Sequence, residues 1–369
     1  MRPLTVAHVD AERGFSGGEV QVFLLMEGLR RRGHRCVLFA PGGSRAADEA
    51  RARDFPLRAA ALRHDLDLIS SARLARGFRA EGCDLVHLHT GRATWLGGIA
   101  AWRAGLPAVT TRRMDRPVRA GRKTRAIYER LTAGVAAISP AVDECLRAGG
   151  VRPERIRVIP DSVDPESVVP RLARNHVRAR EGAQPEDVVA LTMARLVHRK
   201  GLDVLLHALA RSERPERLWI AGDGPQRAAL EALSVELGLG RRVRFLGHRD
   251  DKGELLGACD LFVLPSRAEG MGVAALEAMA AGRALIASRV GGLAQVIVHD
   301  RTGLLVPPED VAALAAALER LSADGALRAA LGGAGPGRIV EGYLPEQMVD
   351  GYEALYESVL SAGARRYGA

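Results

Sequence analysis

Two cations follow an apolar run in the second half of the chain. Residues 188–192 read as a buried strand. Arg195 and Lys200 come next, in Ala194-Arg195-Leu196-Val197-His198-Arg199-Lys200-Gly201. Arginine offers a planar fork of donors and lysine a mobile point charge, so a pair at a strand end, just ahead of a helix, can clamp a diphosphate. Each charged hydrogen bond of this kind contributes roughly 1.5–3 kcal/mol. Lys200 is one of only three lysines, with Lys123 and Lys252, which sets it apart from the scattered arginines.

Two carboxylates flank a glycine turn further on. The stretch runs Pro265-Ser266-Arg267-Ala268-Glu269-Gly270-Met271-Gly272-Val273-Ala274-Ala275-Leu276-Glu277-Ala278-Met279. A strand over residues 261–264 ends just before it, and the turn launches a helix of small residues. The free amides of that first turn, at Met271 and Gly272, and the helix dipole suit a diphosphate or sugar. Glu269 precedes the turn and can accept hydrogen bonds from sugar hydroxyls. Glu277 lies about five residues into the helix, roughly 7–8 Å from its start, so one ligand with a ribose at its far end can span both acids.

The first half carries weaker signals. Gly14-Phe15-Ser16-Gly17-Gly18 follows the first apolar run and fits GxSxG, but a nucleophile elbow follows a later strand. Gly17 and Gly18 can open a helix and admit a phosphate or sugar to bare amides; a plain turn with Ser16 as N-cap is the alternative. The turn is not GxGxxG, and no acid ends the second strand, which disfavours a dinucleotide enzyme. His87-Leu88-His89 ends a strand and puts both imidazoles on one face. No third ligand is near in sequence, so no metal is expected, and His89 is the better placed to reach a site. Asp65-Leu66-Asp67 has the form of a DxD metal-nucleotide motif but sits in a polar stretch and reads as exposed surface.

One window is strongly basic. Arg112, Arg113, Arg116, Arg119, Arg122, Lys123, Arg125 and Arg130, against Asp115 and Glu129, give +6 of the chain's +9. Such a patch can meet phosphate on a membrane, a glycolipid or a nucleic acid, or be a solvated helix face.

The elements that must position these groups alternate short strands with helices. Residues 4–9, 36–40, 84–89, 108–111, 135–138 and 156–159 read as strands of a first series. Residues 188–192, 218–221, 243–246, 261–264, 285–287 and 304–306 form a second. Helices are expected between them, for example over 225–237 and 274–281, and the alanine run 312–317 reads as part of a surface helix. Strand–helix alternation implies parallel sheets with right-handed crossovers. A proline- and charge-rich stretch places a linker near 160–175. The expectation is an α/β protein of two Rossmann-like domains facing each other across a cleft, with ligands beyond the carboxyl ends of the strands. The 369-residue length suits two domains.

With 47% hydrophobic and 26% charged residues the chain is not disordered. No secretory signal opens it, and no apolar run reaches the roughly 18–20 residues of a membrane span. Cys36, Cys83, Cys145 and Cys259 form no CxxC pair, so a disulfide framework and a zinc ribbon are not expected. These features suit a reduced cytoplasm.

The residues above resemble the family 4 glycosyltransferases, retaining enzymes of the GT-B fold. Phe15-Ser16-Gly17-Gly18-Glu19 is similar to that family's glycine loop and Arg195…Lys200-Gly201 to its diphosphate clamp. Ala221-Gly222-Asp223-Gly224-Pro225 and Phe245-Leu246-Gly247-His248 match its linking strands, and Glu269 with Glu277 fits its ExxxxxxxE element. Gly291-Gly292 and Thr302-Gly303-Leu304-Leu305-Val306-Pro307 continue the likeness, and Tyr352, Leu355 and Tyr356 lie in a helix that resembles the family's terminal one. Pro160-Asp161-Ser162-Val163-Asp164 departs from the family's Pro-Asn-Gly-Val-Asp. Residues 111–117 resemble members that act on lipopolysaccharide core or related envelope glycans.

The resemblance implies roles. Arg195 and Lys200 stabilise the leaving diphosphate in place of a metal ion. Glu269 contacts the donor sugar, Glu277 the ribose, and the Met271 and Gly272 amides sugar or phosphate. His89 hydrogen-bonds the donor sugar. The expectation is a metal-independent hexosyltransferase with no cofactor beyond a UDP- or GDP-type sugar co-substrate. Residues 1–165 take a glycan or glycolipid acceptor, residues 166–345 the donor, and 346–369 form a helix crossing back to the first domain. Arg112, Arg113, Arg116, Arg119, Arg122 and Lys123 form an acceptor or membrane patch, with peripheral association at the inner membrane face and no nucleic acid bound. The rivals are a sugar-nucleotide epimerase of the same fold and a non-catalytic polyanion- or membrane-binding protein.

Overall fold

A computed structural model describes residues 2–60, 62–64, 66–213 and 216–367. It divides into two compact units, Met1–Ser162 with Pro345–Ala369, and Val163–Leu344.

The N-terminal unit holds a seven-stranded sheet in the order β3-β2-β1-β4-β5-β6-β7. The strands are β1 Thr5–Val9, β2 Arg35–Ala40, β3 Leu57–Ala59, β4 Leu85–Leu88, β5 Ala108–Arg112, β6 Gly134–Ala137 and β7 Ile156–Val158. Every ladder in it is parallel. The C-terminal unit holds six strands in the order β10-β9-β8-β11-β12-β13. These are β8 Val189–Met193, β9 Arg217–Ala221, β10 Val243–Gly247, β11 Leu261–Leu264, β12 Ala284–Ser288 and β13 Leu304–Val306, again all parallel. Twelve strands match runs legible in sequence. The thirteenth, β3, reads Leu-Arg-Ala with both Arg58 and Ala59 exposed. An edge strand of three residues has no apolar run to announce it.

Each sheet reverses its strand order once, between β1 and β4 in the first and between β8 and β11 in the second. Beyond the carboxyl ends at such a reversal the loops diverge to opposite faces and leave a crevice.

In the N-terminal unit the two sheet faces differ. Ala7, Val9, Val86, Leu88 and Ala108 face one apolar cluster. Leu4, Val6, Leu85, Val109 and Ile159 face another, under the helix Gly17–Arg31 and the terminal helix Pro345–Tyr367. The first helix presents Val22, Phe23, Leu25, Met26 and Leu29, and the terminal one Met348, Val349, Tyr352, Leu355, Tyr356 and Val359. Both sets recur at helical spacing. Ser16 and Glu19 form a full capping box at the start of the first helix, so the N-cap reading of Ser16 holds.

In the C-terminal unit the helix containing residues 312–317, Val311–Ala323, is not a plain surface helix. Ala315 and Ala317 are buried with Leu314, Leu318 and Leu321. Among the described residues no helix is long and apolar enough to cross a membrane.

Candidate active site

In the C-terminal unit the loops after β8 and β11 converge. Lys200 closes a short 3-10 turn, His198–Lys200, and Gly201 then opens the helix Leu202–Arg211 at φ +64°. A Cβ on Gly201 would stand 2.0 Å from the Pro265 carbonyl oxygen, so only glycine lets this turn pass the β11 loop. Lys200 Nζ pairs with Glu269 Oε2, and the buried Ser266 hydroxyl donates to the same oxygen at 3.1 Å. The Lys200 and Glu269 side chains are 12% and 9% exposed. Arg199 stands 3.9 Å from the other oxygen.

Arg267 ties the two loops together. Its amide donates to the Arg199 carbonyl at 2.8 Å. Its guanidinium donates to the His198 carbonyl at 2.8 Å and to both Asp203 oxygens at 2.8 and 2.7 Å. These contacts hold the guanidinium pKa above its ordinary value, the hydrogen bond to Asp203 first among them. Sequence inspection passed over Arg267 as one arginine among many.

The turn after Glu269 adopts the conformation its glycines require. Gly272 caps the helix Val273–Ala280 at φ +89°, and a Cβ there would meet Leu293 Cδ2 at 2.4 Å. Met271 is buried. The Gly292 amide donates to the Glu269 carbonyl at 3.1 Å and fixes the backbone that carries the acid. Glu277 lies within this helix and pairs with Lys252 at 2.5 Å, the one lysine given no role above. Arg195 is exposed; its carbonyl accepts from the Val197 amide at 2.9 Å, but among the described residues its side chain makes no hydrogen bond or ion pair. One cation is therefore held on a carboxylate, and the other is free for a ligand.

The N-terminal unit gathers a second cluster. Its sheet face under the two helices changes character along each strand. Leu4 and Val6 give way to His8 and Asp10, Leu85 to His87 and His89, Val109 to Thr111 and Arg113, and Ile159 to Asp161. The parallel register His8↔His87 brings β1 beside β4. A third imidazole thus joins the pair found in sequence: His8, His87 and His89 offer ring nitrogens within 4.8 Å of one another. As expected, no third ligand is near in sequence; His8 is brought beside the pair only by this strand register, which spans some 80 residues. The ring partners nonetheless do not suit a cation. His87 Nδ1 meets the Tyr356 hydroxyl and Nε2 the Thr111 hydroxyl, both at 2.7 Å. His8 Nδ1 meets His89 Nε2 at 3.0 Å, with those two rings stacked 5° from parallel. Metal ligands instead point in-plane lone pairs at one centre.

Burial pushes the His8 imidazole down to about 3 and holds His87 and His89 well below the usual range, with Arg113 adding to the last two. All three are neutral near pH 7. Burial pushes the Asp10 carboxyl up to about 7 against its hydrogen bond from the Glu12 amide.

Other positions fall as follows. Gly17 and Gly18 occupy the first turn of the capped helix, where amides lack helical acceptors. Asp65 lies outside the described residues. Asp67 is the N-cap of the helix Leu68–Ala80 and accepts from the Ser70 amide at 3.0 Å, a structural duty. Arg116, Arg119, Arg122 and Lys123 are exposed, as a patch requires, and Arg112 is half-buried. Arg113 does not belong to the patch. Strand alternation turns it inward, 3.4 Å from Asp161.

Comparison with known proteins agrees with both units. Residues 173–338 match the model described as glycosyl transferases group 1, and residues 15–167 match that for glycosyltransferase family 4. A D-inositol 3-phosphate glycosyltransferase of Jonesia denitrificans is 30% identical over 318 residues, 77% of this chain and 74% of that protein. The chain belongs to glycosyltransferase family 4. The lipopolysaccharide core biosynthesis glycosyltransferase LpsD of Rhizobium meliloti is 38% identical over 169 residues, 46% of this family 4 chain and about half, 49%, of LpsD. The crystal structure of Anabaena HepE in complex with UDP and glucose has a TM-score of 0.87 at 21% identity, covering 96% of this chain and 100% of that one. This family member therefore has the GT-B fold, with two Rossmann-like domains.

Proposed function

We propose that the protein is a retaining, metal-independent hexosyltransferase. It moves a sugar from a UDP- or GDP-type donor to an envelope glycan or glycolipid acceptor. The carrying observation is the convergence, at the strand-order reversal of the C-terminal unit, of free Arg195, the buried Lys200–Glu269–Ser266 group and the Gly270–Gly272 turn at a helix start. Two cations, Lys200 held on Glu269 and Arg195 free to close on the ligand, do at a departing diphosphate the work a metal does elsewhere, by stabilising charge as it develops. Glu269, oriented by Lys200, takes the sugar hydroxyls. Glu277 takes the ribose, and the Met271 and Gly272 amides take sugar or phosphate.

In this reading the N-terminal unit takes the acceptor, Gly17 and Gly18 leave room for ligand oxygens, and His89 hydrogen-bonds the donor sugar. HepE bound to UDP and glucose supports a UDP-type donor, and LpsD supports an envelope glycan acceptor. The exposed arginines Arg116, Arg119 and Arg122 support docking at an anionic membrane face. The test is calorimetry and thermal shift with UDP, GDP and their hexose conjugates, since a ligand of the folded state raises the melting temperature. No response to any nucleoside diphosphate sinks the proposal. Turnover abolished by EDTA removes metal independence. An epimerised sugar nucleotide, formed without acceptor, reassigns the site.

A further inference from the structure

One cation in the N-terminal cluster has no hydrogen-bond partner for its guanidinium. Arg113 is 13% exposed at its side chain. Its Nε, Nη1 and Nη2 are shielded from solvent, yet none has a hydrogen-bond partner. An arginine carries five N–H donors, and a buried donor left unmade is costly. Its one ion pair, to Asp161 Oδ1 at 3.4 Å, is a charge contact without a directed hydrogen bond, and that oxygen is unbonded too.

The neighbouring acids are otherwise engaged. Glu19 Oε2 accepts from the Ser16 amide at 2.6 Å and the Ser16 hydroxyl at 2.7 Å. Asp10 accepts from the Glu12 amide at 2.9 Å. Asp161 is held in place from behind, because Gln21 bonds both the amide and the carbonyl of Ser162, at 2.8 and 2.7 Å.

What surrounds the guanidinium points to a ligand with several acceptor oxygens. The Arg113 stem lies against the start of the helix Gly17–Arg31, and a Cβ on Gly18 would stand 3.5 Å from its Cδ. That helix end carries unsatisfied amides and the positive pole of a 15-residue dipole. The Gly18 amide has only a long contact, 3.4 Å, to Ser16 Oγ. His89 is 5% exposed, and its Nδ1 has no partner, nor does Nε2 of fully buried His8. Through the bond between them, His89 can present Nδ1 as donor while His8 Nε2 carries the lone pair, or the reverse. Burial raises the carboxyl pKa of Asp10 to about 7, and burial also moves that of Asp161 upward, against the Arg113 charge that lowers it. Asp10 can therefore take up a proton near neutral pH and meet an incoming anion as a donor rather than repel it.

We propose that Arg113 and the first-turn amides at Gly17 and Gly18 form a subsite for an anionic group, a phosphate or carboxylate, carried by the acceptor. The planar guanidinium fork matches such an oxyanion, and its entry displaces a charge contact rather than a made hydrogen bond. The subsite rests on the reading that the N-terminal unit takes the acceptor, and it narrows that acceptor to one bearing negative charge close to its reacting sugar or polyol.

The test is calorimetry on the full chain with glycerol 3-phosphate, glycerol and UDP. The phosphate ester should bind at least tenfold tighter than glycerol. Arg113→Gln should bring that ratio to within twofold while leaving UDP affinity unchanged, and Arg113→Lys, which keeps the charge without the fork, should fall between. Vesicles of phosphatidic acid, set against phosphatidylcholine, separate the two sources of phosphate. Arg113-dependent binding to those vesicles alone assigns the group to a lipid-borne acceptor and supports the subsite equally. UDP binding with no preference for either form of phosphate overturns the subsite whatever the variants do, as does a preference that survives Arg113→Gln. Absence of UDP binding sinks the donor reading instead.

Discussion

Lys200→Met separates what Lys200 does for the fold from what it does for the donor. In the folded protein its ammonium neutralises Glu269, whose side chain is 9% exposed and keeps the Ser266 hydroxyl at 3.1 Å and Arg199 at 3.9 Å once the lysine is gone. Breaking a fully buried pair costs about 3–5 kcal/mol. The remaining partners and the residual exposure reduce this to about 2–3 kcal/mol. For a unit of about 180 residues that is a fall in melting temperature of about 4–12 °C. If the lysine also meets the diphosphate, UDP affinity drops by one charged hydrogen bond, about 10- to 150-fold. The double variant Lys200→Met, Glu269→Gln then discriminates. A neutral amide keeps the Ser266 contact and leaves no bare charge, so the melting temperature should return to within a few degrees of wild type. The lost UDP affinity should not return. Calorimetry and thermal unfolding on the same samples read both. UDP affinity within twofold of wild type in the single variant, or restored in the double, would show that Lys200 serves Glu269 alone.

Gly201→Ala, which forces a Cβ to 2.0 Å from the Pro265 carbonyl at φ +64°, should cost more than about 2 kcal/mol and weaken UDP binding along with Lys200; differential scanning calorimetry and UDP titration check this, and a neutral outcome refutes the close packing of the two loops. Charge reversal of exposed Arg119 and Arg122 should weaken binding to phosphatidylglycerol vesicles by about 30-fold or more, at about 1 kcal/mol per basic residue, with UDP affinity unchanged; unchanged vesicle sedimentation assigns the patch to plain surface. Acid should destabilise the N-terminal unit. As pH falls below about 6.5, the ordinary imidazole value, three unfolded imidazoles take up protons that buried His8, His87 and His89 refuse, while Asp10, raised to about 7, works the opposite way down to its ordinary value of 3.8. Asp161, also raised by burial, works the same way as Asp10, so the balance is about one to two protons, ~1.4–2.7 kcal/mol per pH unit, and a denaturant midpoint that does not fall between pH 6.5 and 5 refutes it. Asp10→Asn should add stability above pH 7 and little near pH 4, read from the same curves.

The C-terminal site was legible because its chemistry is local. Arg195 with Lys200, and Glu269 with Glu277, each lie on one strand–loop–helix segment, so spacing along the chain nearly equals spacing in space. What sequence hid there was support. Arg267 looks like any arginine until its amide and guanidinium are seen bridging two loops, and Lys252 meets Glu277 from 25 residues away. The N-terminal cluster was hidden for a deeper reason. Its members arrive from separate strands, and only the register of β1 on β4 and of β4 on β5 sets His8 beside His87 and His87 beside Val109. Register is decided by pairing, which no single segment encodes. Arg113 shows the consequence. As a letter in a basic run it reads as surface, because seven like-charged residues share its window. As the second residue past Thr111 on an inward-facing register it must point under the helix Gly17–Arg31, where Asp161 arrives from beyond β7. Period-two alternation carried past a strand's end would have flagged it: Val109, Thr111 and Arg113 share a face, and a charge on the face that begins with valine has to find a partner or await one.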